Sequence, residues 1–319
     1  MNRDTLFGVT FAILAAVGFS AKAILVKLAY IDHADAITLL ALRMAFSVPF
    51  FVGVAIWVNL RDSAPLARQD WIAVIVLGLL GYYLSSFLDF LGLLYITAGL
   101  ERLILFLYPT MTVILSALIY KRPVGRKVMV AMALSYAGIV LVFLHDVGMS
   151  RSNDALSRAD VLLGAALVFA STLSYSSYLV GAGHAIARMG ATRFTAYASI
   201  VASIASLLQF AFTHPLSALN LPLRVYELSL AMAIFSTVLP VFLLSYAIRR
   251  IGSGNSSLIG SIGPVATIAL AYVFLNETVS WLQIAGTILV LAGVVVVSLN
   301  SNKLQPNKTS PGASHAPRS

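Results

Sequence analysis

Six ionisable side chains stand inside apolar stretches of this 319-residue sequence. They are Lys22, Lys27, Arg43, Asp89, Glu101 and Arg102. A charged side chain at the centre of a lipid-embedded helix costs about 2.5–3.5 kcal/mol, so such groups usually face a cavity or a charged partner. Four positive and two negative charges leave a positive surplus, which suits an organic anion or the carboxylate of an amino acid. We therefore predict an anion-binding cavity, with internal ion pairs as the structural alternative.

Three of these residues lie deepest in their stretches and are the first candidates for the cavity: Lys22, Arg43 and Asp89. If protons are involved, Asp89 is the expected proton carrier.

Glu101 and Arg102 begin an apolar stretch. A helix N-terminus favours an acidic residue, so a structural cap is the alternative to a binding role for this pair. Lys27 is expected to extend its ammonium group to the outer membrane interface.

Hydroxyl-bearing residues repeat at spacings of three and four, which place side chains on one helix face. Two such faces result, and they carry Tyr82, Ser85, Ser86 and Asp89 on one stretch and Ser171, Ser174, Tyr175 and Tyr178 on another. Single serines also pack helices together, but a combined Tyr/Ser/Asp face is predicted to line the cavity. Tyr108 is a further candidate contact, with helix packing as its alternative.

Motifs for catalysis are lacking. The sequence has no HExxH, GxSxG or Walker-type motif and no cysteine. We predict that the chain is not an enzyme and that it binds neither cofactor nor metal. His33, with Asp32 and Asp35, falls in a predicted loop, where a solvated loop is expected rather than a metal site.

Composition requires a lipid environment around the helices that carry these residues. Hydrophobic residues make up 60% of the chain and charged residues 10%, with a mean hydropathy of +0.92. Soluble domains carry about 25% charged residues. The net charge of +9 does not indicate nucleic-acid binding, because the basic residues occupy short gaps between apolar stretches.

About 20 apolar residues are needed to cross a bilayer as a helix. The sequence therefore predicts an all-α protein of ten transmembrane helices, near residues 6–28, 36–59, 71–94, 98–119, 128–144, 160–181, 194–212, 225–247, 254–275 and 280–299. The segment 300–319 lacks an apolar face and is predicted to be a disordered cytoplasmic tail.

Basic residues predict the orientation of the ten helices, because cytoplasmic loops are enriched in Lys and Arg. With the N-terminus inside, 14 of the 21 basic residues fall in inside segments and three fall in outside loops. Both termini are therefore predicted to be cytoplasmic, in a multi-pass protein of the cell (inner) membrane.

An internal repeat relates the two halves of the chain. Shifted by 155 residues, 98–143 aligns with 253–298 and twelve of 46 positions are identical, among them Pro109 with Pro264. Glu101 then aligns with Ser256, so Ser256 joins the candidate cavity residues. Five helices per half require opposite orientations, so we predict two inverted repeats, 1–150 and 151–299. Inverted repeats are typical of secondary transporters.

Pro109 and Pro264 occupy equivalent places in the two repeats. Proline removes a backbone donor and kinks a helix. Paired helix breaks of this kind point to a substrate site near the midplane. Passive hinges between helix halves are the alternative.

Two segments carry a family resemblance. AGLERLILFLYPTMTVILSALIYKRP resembles the fourth helix of the drug/metabolite transporter superfamily, and the segment from Gly252 to Val297 resembles its ninth and tenth. The similarity is to the ten-helix branch with two EamA-type domains and covers residues 5–299. It implies ten helices around a central cavity, alternating access, and export or exchange of small metabolites such as amino acids.

These observations favour a secondary transporter of small organic solutes, an exporter or exchanger. Its expected partners are a small-molecule substrate, membrane lipid and a coupling proton, without nucleic acid. A flippase for a lipid or lipid-linked carrier is the alternative within transport. An intramembrane enzyme would need a nucleophile–base pair or metal cluster, and a sensor would not need polar faces on several helices.

Overall fold

A computed structural model describes residues 3–61, 65–121, 125–150 and 157–304, and these residues contain helices but no strand. The α-helices in chain order are α1 (Arg3–Ile31), α2 (Ala36–Arg61), α3 (Arg68–Gly78), α4 (Ser85–Gly92), α5 (Ala98–Leu105), α6 (Tyr108–Ile119), α7 (Arg126–Ser150), α8 (Arg158–Met189), α9 (Ala191–Thr213), α10 (Leu223–Ala233), α11 (Leu239–Gly260), α12 (Gly263–Leu275) and α13 (Trp281–Leu304). Two π-helices, Leu79–Leu84 and Ile234–Val238, and a 3-10 helix, Leu216–Leu219, complete the described elements.

These helices form the ten predicted membrane spans. Seven helical runs of at least 22 residues are apolar enough to cross a bilayer, and they supply spans one to four and six to eight. Shorter apolar helices within α7, α12 and α13 supply spans five, nine and ten. Apolar side chains such as Leu162, Val273 and Ile288 are at least 60% exposed, a surface that requires lipid. The chain is a polytopic all-α membrane protein.

Helix α11 contains the end of span eight and the beginning of span nine. The chain changes its direction across the membrane within this helix. Pro240 packs against Gly18 of α1, and Ile251 packs against Gly8, so the first part of α11 runs antiparallel to α1. Gly263 then lies beside Ser20, whose hydroxyl donates to its carbonyl at 2.9 Å. The segment after Ile251 therefore returns parallel to α1, and the count of ten spans is kept.

Several helices are longer than the predicted spans. Ser157 and Asp160 form a reciprocal capping box that fixes the start of α8, and Gly190, with φ of +81°, ends it directly before α9. Helix α7 continues to Ser150, into the predicted connection between the repeats. Helix α13 extends to Leu304, into the predicted tail, of which residues 305–319 lie outside the described residues.

Irregular elements occur at matched positions of the two inverted repeats. The π-helices at Leu79–Leu84 and Ile234–Val238 start 155 residues apart. Helix α5 ends at Leu105 and α6 begins at Tyr108, while α11 ends at Gly260 and α12 begins at Gly263, again 155 residues apart.

Helix contacts between the two repeats follow the same symmetry, because equivalent helices pack on equivalent partners of the opposite repeat. Helix α1 of the first repeat packs on α11 and α12 of the second, and α8 of the second packs on α4 and α6 of the first. Helix α2 packs on α9, and α7 packs on α13. In the last pair the backbones approach closely, because a Cβ on Gly138 would lie 2.4 Å from the carbonyl of Gly286.

Candidate functional site

A cavity of about 520 Å³ lies between the two repeats. Residues of spans one to four and six to nine line it, and spans five and ten contribute none of the described lining residues. A volume of this size accommodates a small organic molecule.

The cavity is lined by equivalent positions of the two repeats, and it therefore lies on their pseudo-twofold axis. Pairs of lining residues separated by 155 or 156 positions include Ala15 and Ser171, Ala16 and Thr172, Phe19 and Tyr175, Gly81 and Ser236, Tyr82 and Thr237, Ser86 and Val241, Asp89 and Leu244, and Leu105 and Gly260. The charged lining residues, by contrast, all come from the first repeat: Lys22, Arg43, Asp89 and Arg102.

Lys22 holds two acidic side chains at one end of the cavity. Its Nζ lies 2.5 Å from Oδ2 of Asp89 and 3.4 Å from Oε1 of Glu101. Asp89 is 2% exposed and Glu101 is completely buried behind the cavity wall. Helices α1, α4 and α5 thus meet at a buried triad, an arrangement that a low-dielectric site tolerates when the charges are paired.

Arg43 enters the same cavity from α2. Its Nη2 donates to Oγ of Ser86 at 3.0 Å, and its guanidinium stands 4.9 Å from the ring centre of Phe90. The Nε atom is buried without a hydrogen-bond partner. A guanidinium carries five N–H donors, and the bond to Ser86 uses one of them.

Arg102 lies on the first repeat but reaches the backbone of the second. A Cβ on Gly263 would lie 2.7 Å from its Nη2, so the absence of a side chain there makes room for the guanidinium. Its Nε is also buried without a hydrogen-bond partner. Two arginines with unused donors thus face one cavity.

Four tyrosines form a continuous aromatic cluster beside these charges. Rings of Tyr108 and Tyr175 have centroids 5.7 Å apart, and those of Tyr175 and Tyr178 are 5.6 Å apart. The hydroxyls of Tyr82 and Tyr178 are 3.0 Å apart. Tyr82, Tyr108 and Tyr175 line the cavity, whereas Tyr178 packs behind it.

The serine hydroxyls of span six mostly donate hydrogen bonds to backbone groups of the protein. Ser171 donates to the carbonyl of Ser85 at 2.7 Å, and Ser174 donates to the carbonyl of Leu80 at 2.8 Å, inside the first π-helix. Only Ser171 of the two lines the cavity. These hydroxyls satisfy backbone groups in span three, a role that single serines commonly have in membrane helices.

Hydroxyls from the opposite repeat support both helix breaks. The hydroxyl of Ser20 is shared between the carbonyl of Gly263 at 2.9 Å, directly before Pro264, and the carbonyl of Ala16 in its own helix at 2.7 Å. Ser176 donates to the carbonyl of Tyr108 at 3.2 Å, directly before Pro109. Ser20 and Ser176 are themselves equivalent at a shift of 156 residues, so the two hydrogen bonds follow the repeat symmetry.

Helices α5 and α12 pack together beside the cavity. The carboxylate of Glu277 accepts a hydrogen bond from the amide of Ala98 at 3.0 Å, where α5 begins. From this contact the cavity extends toward Ile248 and Ser256.

Of the residues predicted from the sequence, eleven line the cavity: Lys22, Arg43, Tyr82, Ser85, Ser86, Asp89, Arg102, Tyr108, Ser171, Tyr175 and Ser256. Glu101 and Tyr178 lie directly behind this wall, and Pro109 and Pro264 follow the helix breaks. Lys27 does not line the cavity.

Sequence patterns missed the contribution of span eight. Ser236 and Thr237 of the second π-helix line the cavity. The repeat itself holds the signal, because a shift of 155 from Gly81 and Tyr82 leads to these two residues.

The loop residues Asp32 and Asp35 take part in surface ion pairs. Arg224 Nη1 lies 3.5 Å from Asp32, and His214 Nε2 lies 3.3 Å from Asp35. No group of three potential metal ligands occurs in the part of the chain that the structure describes.

Comparison with known proteins gives matches to transporters. Residues 6–144 and 162–299 each match the EamA-like transporter family. An "Uncharacterized transporter YcbK" of Bacillus subtilis (strain 168) is 28% identical, with 96% of each chain covered. A "Probable amino-acid metabolite efflux pump" of Salmonella typhimurium is 25% identical over 89% of this chain and 92% of its own.

A shorter match and a solved structure extend these similarities. A "Probable terminal-alkyne amino-acid exporter" of Streptantibioticus cattleyicolor is 37% identical over 57 residues, which are 18% of this chain and 19% of that protein. One solved crystal structure superposes with a TM-score of 0.60 at 17% identity, covering 94% of this chain and 99% of that chain, a likeness in fold.

Proposed function

The chain belongs to the EamA-like transporter family, and from this membership we propose that it is a secondary transporter of small organic metabolites that carry a carboxylate. The resemblance to the drug/metabolite transporter superfamily is thereby confirmed. Membership of a transporter family also agrees with the prediction that the chain is not an enzyme. Amino acids and organic anions are the proposed substrates, moved by export or exchange.

The charge of the cavity supports an anionic group on the substrate. Lys22, Arg43 and Arg102 face two carboxyl groups, Asp89 and Glu101, which leaves one positive charge in excess. The two arginines retain buried, unused donors. Guanidinium groups bind carboxylates through charge-assisted hydrogen bonds, the strongest polar contacts available here.

The rest of the cavity supports a metabolite with both polar and apolar parts. Tyrosine rings and the side chains of Phe19, Met44 and Phe51 offer apolar contact, while Ser86, Ser256 and Thr195 offer hydroxyls. An amino acid combines these features. Two of the relatives are named for amino-acid export or efflux, which agrees with this substrate class.

Alternating access is the proposed mechanism, with the repeats 1–150 and 151–299 rocking against each other. The packing of α5 on α12 supports it, because this contact closes one end of the cavity while the cavity extends toward Ile248 and Ser256 at the other. In the second state α6 and the end of α11 close together and α5 separates from α12. With the basic loops cytoplasmic, the observed state faces inward.

Counterflow in proteoliposomes tests the function. Purified protein is screened with amino acids and organic anions, beside the variants Arg43→Ala and Arg61→Ala. Arg61 is the matched control, because it lies on the same helix and its guanidinium stacks 4.2 Å from the ring centre of Trp57, away from the cavity.

Accumulation by wild type and R61A but not by R43A is the expected result. Accumulation by all three keeps the transporter but removes Arg43 from the binding site. If a folded protein moves nothing across a broad panel, the proposed substrate class fails, and lipid or lipid-linked substrates are tested next.

A further inference from the structure

We propose that Glu101, rather than Asp89, carries a proton in this transporter, and that this proton and an anionic substrate are bound together. The proposal rests on the proposed transport function for the substrate, but the protonation of Glu101 can be measured without any substrate.

One ammonium group faces two acidic side chains in the triad. Lys22 Nζ is 2.5 Å from Asp89 and donates a hydrogen bond to it, whereas its distance of 3.4 Å to Glu101 gives an electrostatic contact only. Both carboxyl oxygens of Glu101 are buried without a hydrogen-bond partner. A buried carboxylate without donors is strongly disfavoured, and binding a proton removes that charge.

The other charged groups around α5 do not supply the missing donors. Arg102 is next to Glu101 in the chain but extends to Gly263, and Arg43 donates to Ser86. Glu277, from the opposite repeat, accepts from the amide of Ala98 at the beginning of α5. Lys22, Asp89 and, through charge alone, Arg102 are thus the groups to which the charge on Glu101 responds.

The fold does not require an acid at this position. Ser256, the equivalent residue of the second repeat, is 1% exposed, and Glu101 is completely buried. A small hydroxyl therefore fits the same place in the repeat. A carboxyl group occurs at this position in the first repeat only. This is expected of a side chain that has a function rather than a role in helix packing.

Charge balance links the proton to the substrate. With Glu101 ionised, the cavity and its wall carry three cations and two anions, an excess of one; with Glu101 neutral, the excess is two. A carboxylate substrate is therefore attracted more strongly when Glu101 holds a proton. By linkage the bound anion favours the protonated form equally, so the two are carried together.

Closure of α5 on α12 favours the same protonated form. The buried carboxyl lies in the first turn of α5, on the packed side of the cavity. A neutral carboxyl tolerates this dry environment. When α5 separates from α12, water reaches Glu101, and the proton is released with the substrate.

Infrared difference spectroscopy of the lipid-reconstituted protein, stepped between alkaline and acidic buffer, tests the assignment with the proton as the only ligand. Wild type is expected to give a protonated-carboxyl band that disappears in Glu101→Gln and Glu101→Ser and persists in Asp89→Asn. The serine variant copies the residue of the second repeat, and size-exclusion chromatography checks its folding.

A band that persists in both Glu101 variants, or one that is lost in D89N and kept in E101Q, overturns the proposal. If the wild-type band is lost in the Glu101 variants but no substrate moves in counterflow, the transport proposal is contradicted and the protonation of Glu101 stands. If substrate moves in counterflow but wild type shows no Glu101 band, the protonation proposal is contradicted and the transport proposal stands.

Discussion

Arg102 shows how a single side chain joins the two repeats. It starts on α5 and ends against Gly263, at the helix break of the other repeat. The guanidinium occupies the space that a Cβ would take, which a glycine leaves open. We therefore expect Arg102 to respond to the relative position of the two breaks as well as to the substrate.

Gly263→Ala is expected to weaken substrate binding with little loss of stability. The new methyl group would lie 2.7 Å from Nη2 of Arg102, and the flexible end of that side chain can move away. Displacing one charge-assisted contact of about 1.5–3 kcal/mol raises the apparent KM by roughly tenfold or more.

Gly260→Ala is the matched control for this change. Gly260 also lines the cavity, but a Cβ there meets no atom within 4 Å. Concentration-dependent counterflow and thermal unfolding of both variants give the measurement. Equal KM values for G263A and wild type would contradict the role given to Arg102.

At the scale of the helices, the two breaks are the main departure from regular structure. A proline leaves the carbonyl four residues earlier without its helical amide, and a break exposes further backbone groups within the membrane. Ser20 and Ser176 bond to the carbonyls of Gly263 and Tyr108 and thereby fix each break to a helix of the opposite repeat.

Ser20→Ala and Ser176→Ala should each lower the free energy of unfolding by about 1 kcal/mol, because each removes one buried hydrogen bond. The double variant should lose more than either single one. Ser177→Ala is the control, since the hydroxyl of Ser177 bonds to Leu173 of its own helix in an exposed hydrogen bond. Thermal unfolding in detergent measures the shift, and an equal shift in S177A would argue against the cross-repeat role.

The sequence predicts the spans well and the site in part, for physical reasons. Apolar length determines where a helix crosses lipid, so the ten spans follow directly from composition. Lys22, Arg43 and Asp89 are recognisable because a charge in lipid needs a partner. The roles of Asp89 and Glu101 differ because Lys22 Nζ lies 2.5 Å from the first carboxylate and 3.4 Å from the second. These distances depend on how three helices pack and cannot be predicted from the spacing of residues along the chain.

Ser174 and Tyr178 illustrate the same limit. Both lie on the predicted polar face of span six, yet Ser174 bonds to Leu80 and Tyr178 packs beside Gly81. Helical periodicity gives the face that turns inward. It does not distinguish a residue that touches the cavity from one that touches a neighbouring helix.

At the scale of the whole molecule, an odd number of helices, five in each repeat, makes the two repeats cross the membrane in opposite directions. The basic loops predict which end of the cavity faces the cytoplasm. The chain contains no cysteine, so a single introduced thiol reports on its own position.

Gly125→Cys and Ser217→Cys are expected to react from opposite sides of the membrane. Gly125 precedes α7 in a basic segment that is predicted to be inside, and Ser217 lies in the exposed 3-10 helix between spans seven and eight. In right-side-out vesicles, a membrane-impermeant maleimide should label S217C at once and G125C only after permeabilisation. The reverse order would invert the orientation and make the observed state outward-facing.

The two π-helices also carry information about descent. Their sequences, LLGYYL and IFSTV, share no residue at equivalent positions, yet both distort the helix at the same place in their repeat. Two independent insertions at one position are less economical than a single insertion in a common ancestor. The matched π-helices therefore favour descent of the two repeats from one five-helix unit that already carried the distortion.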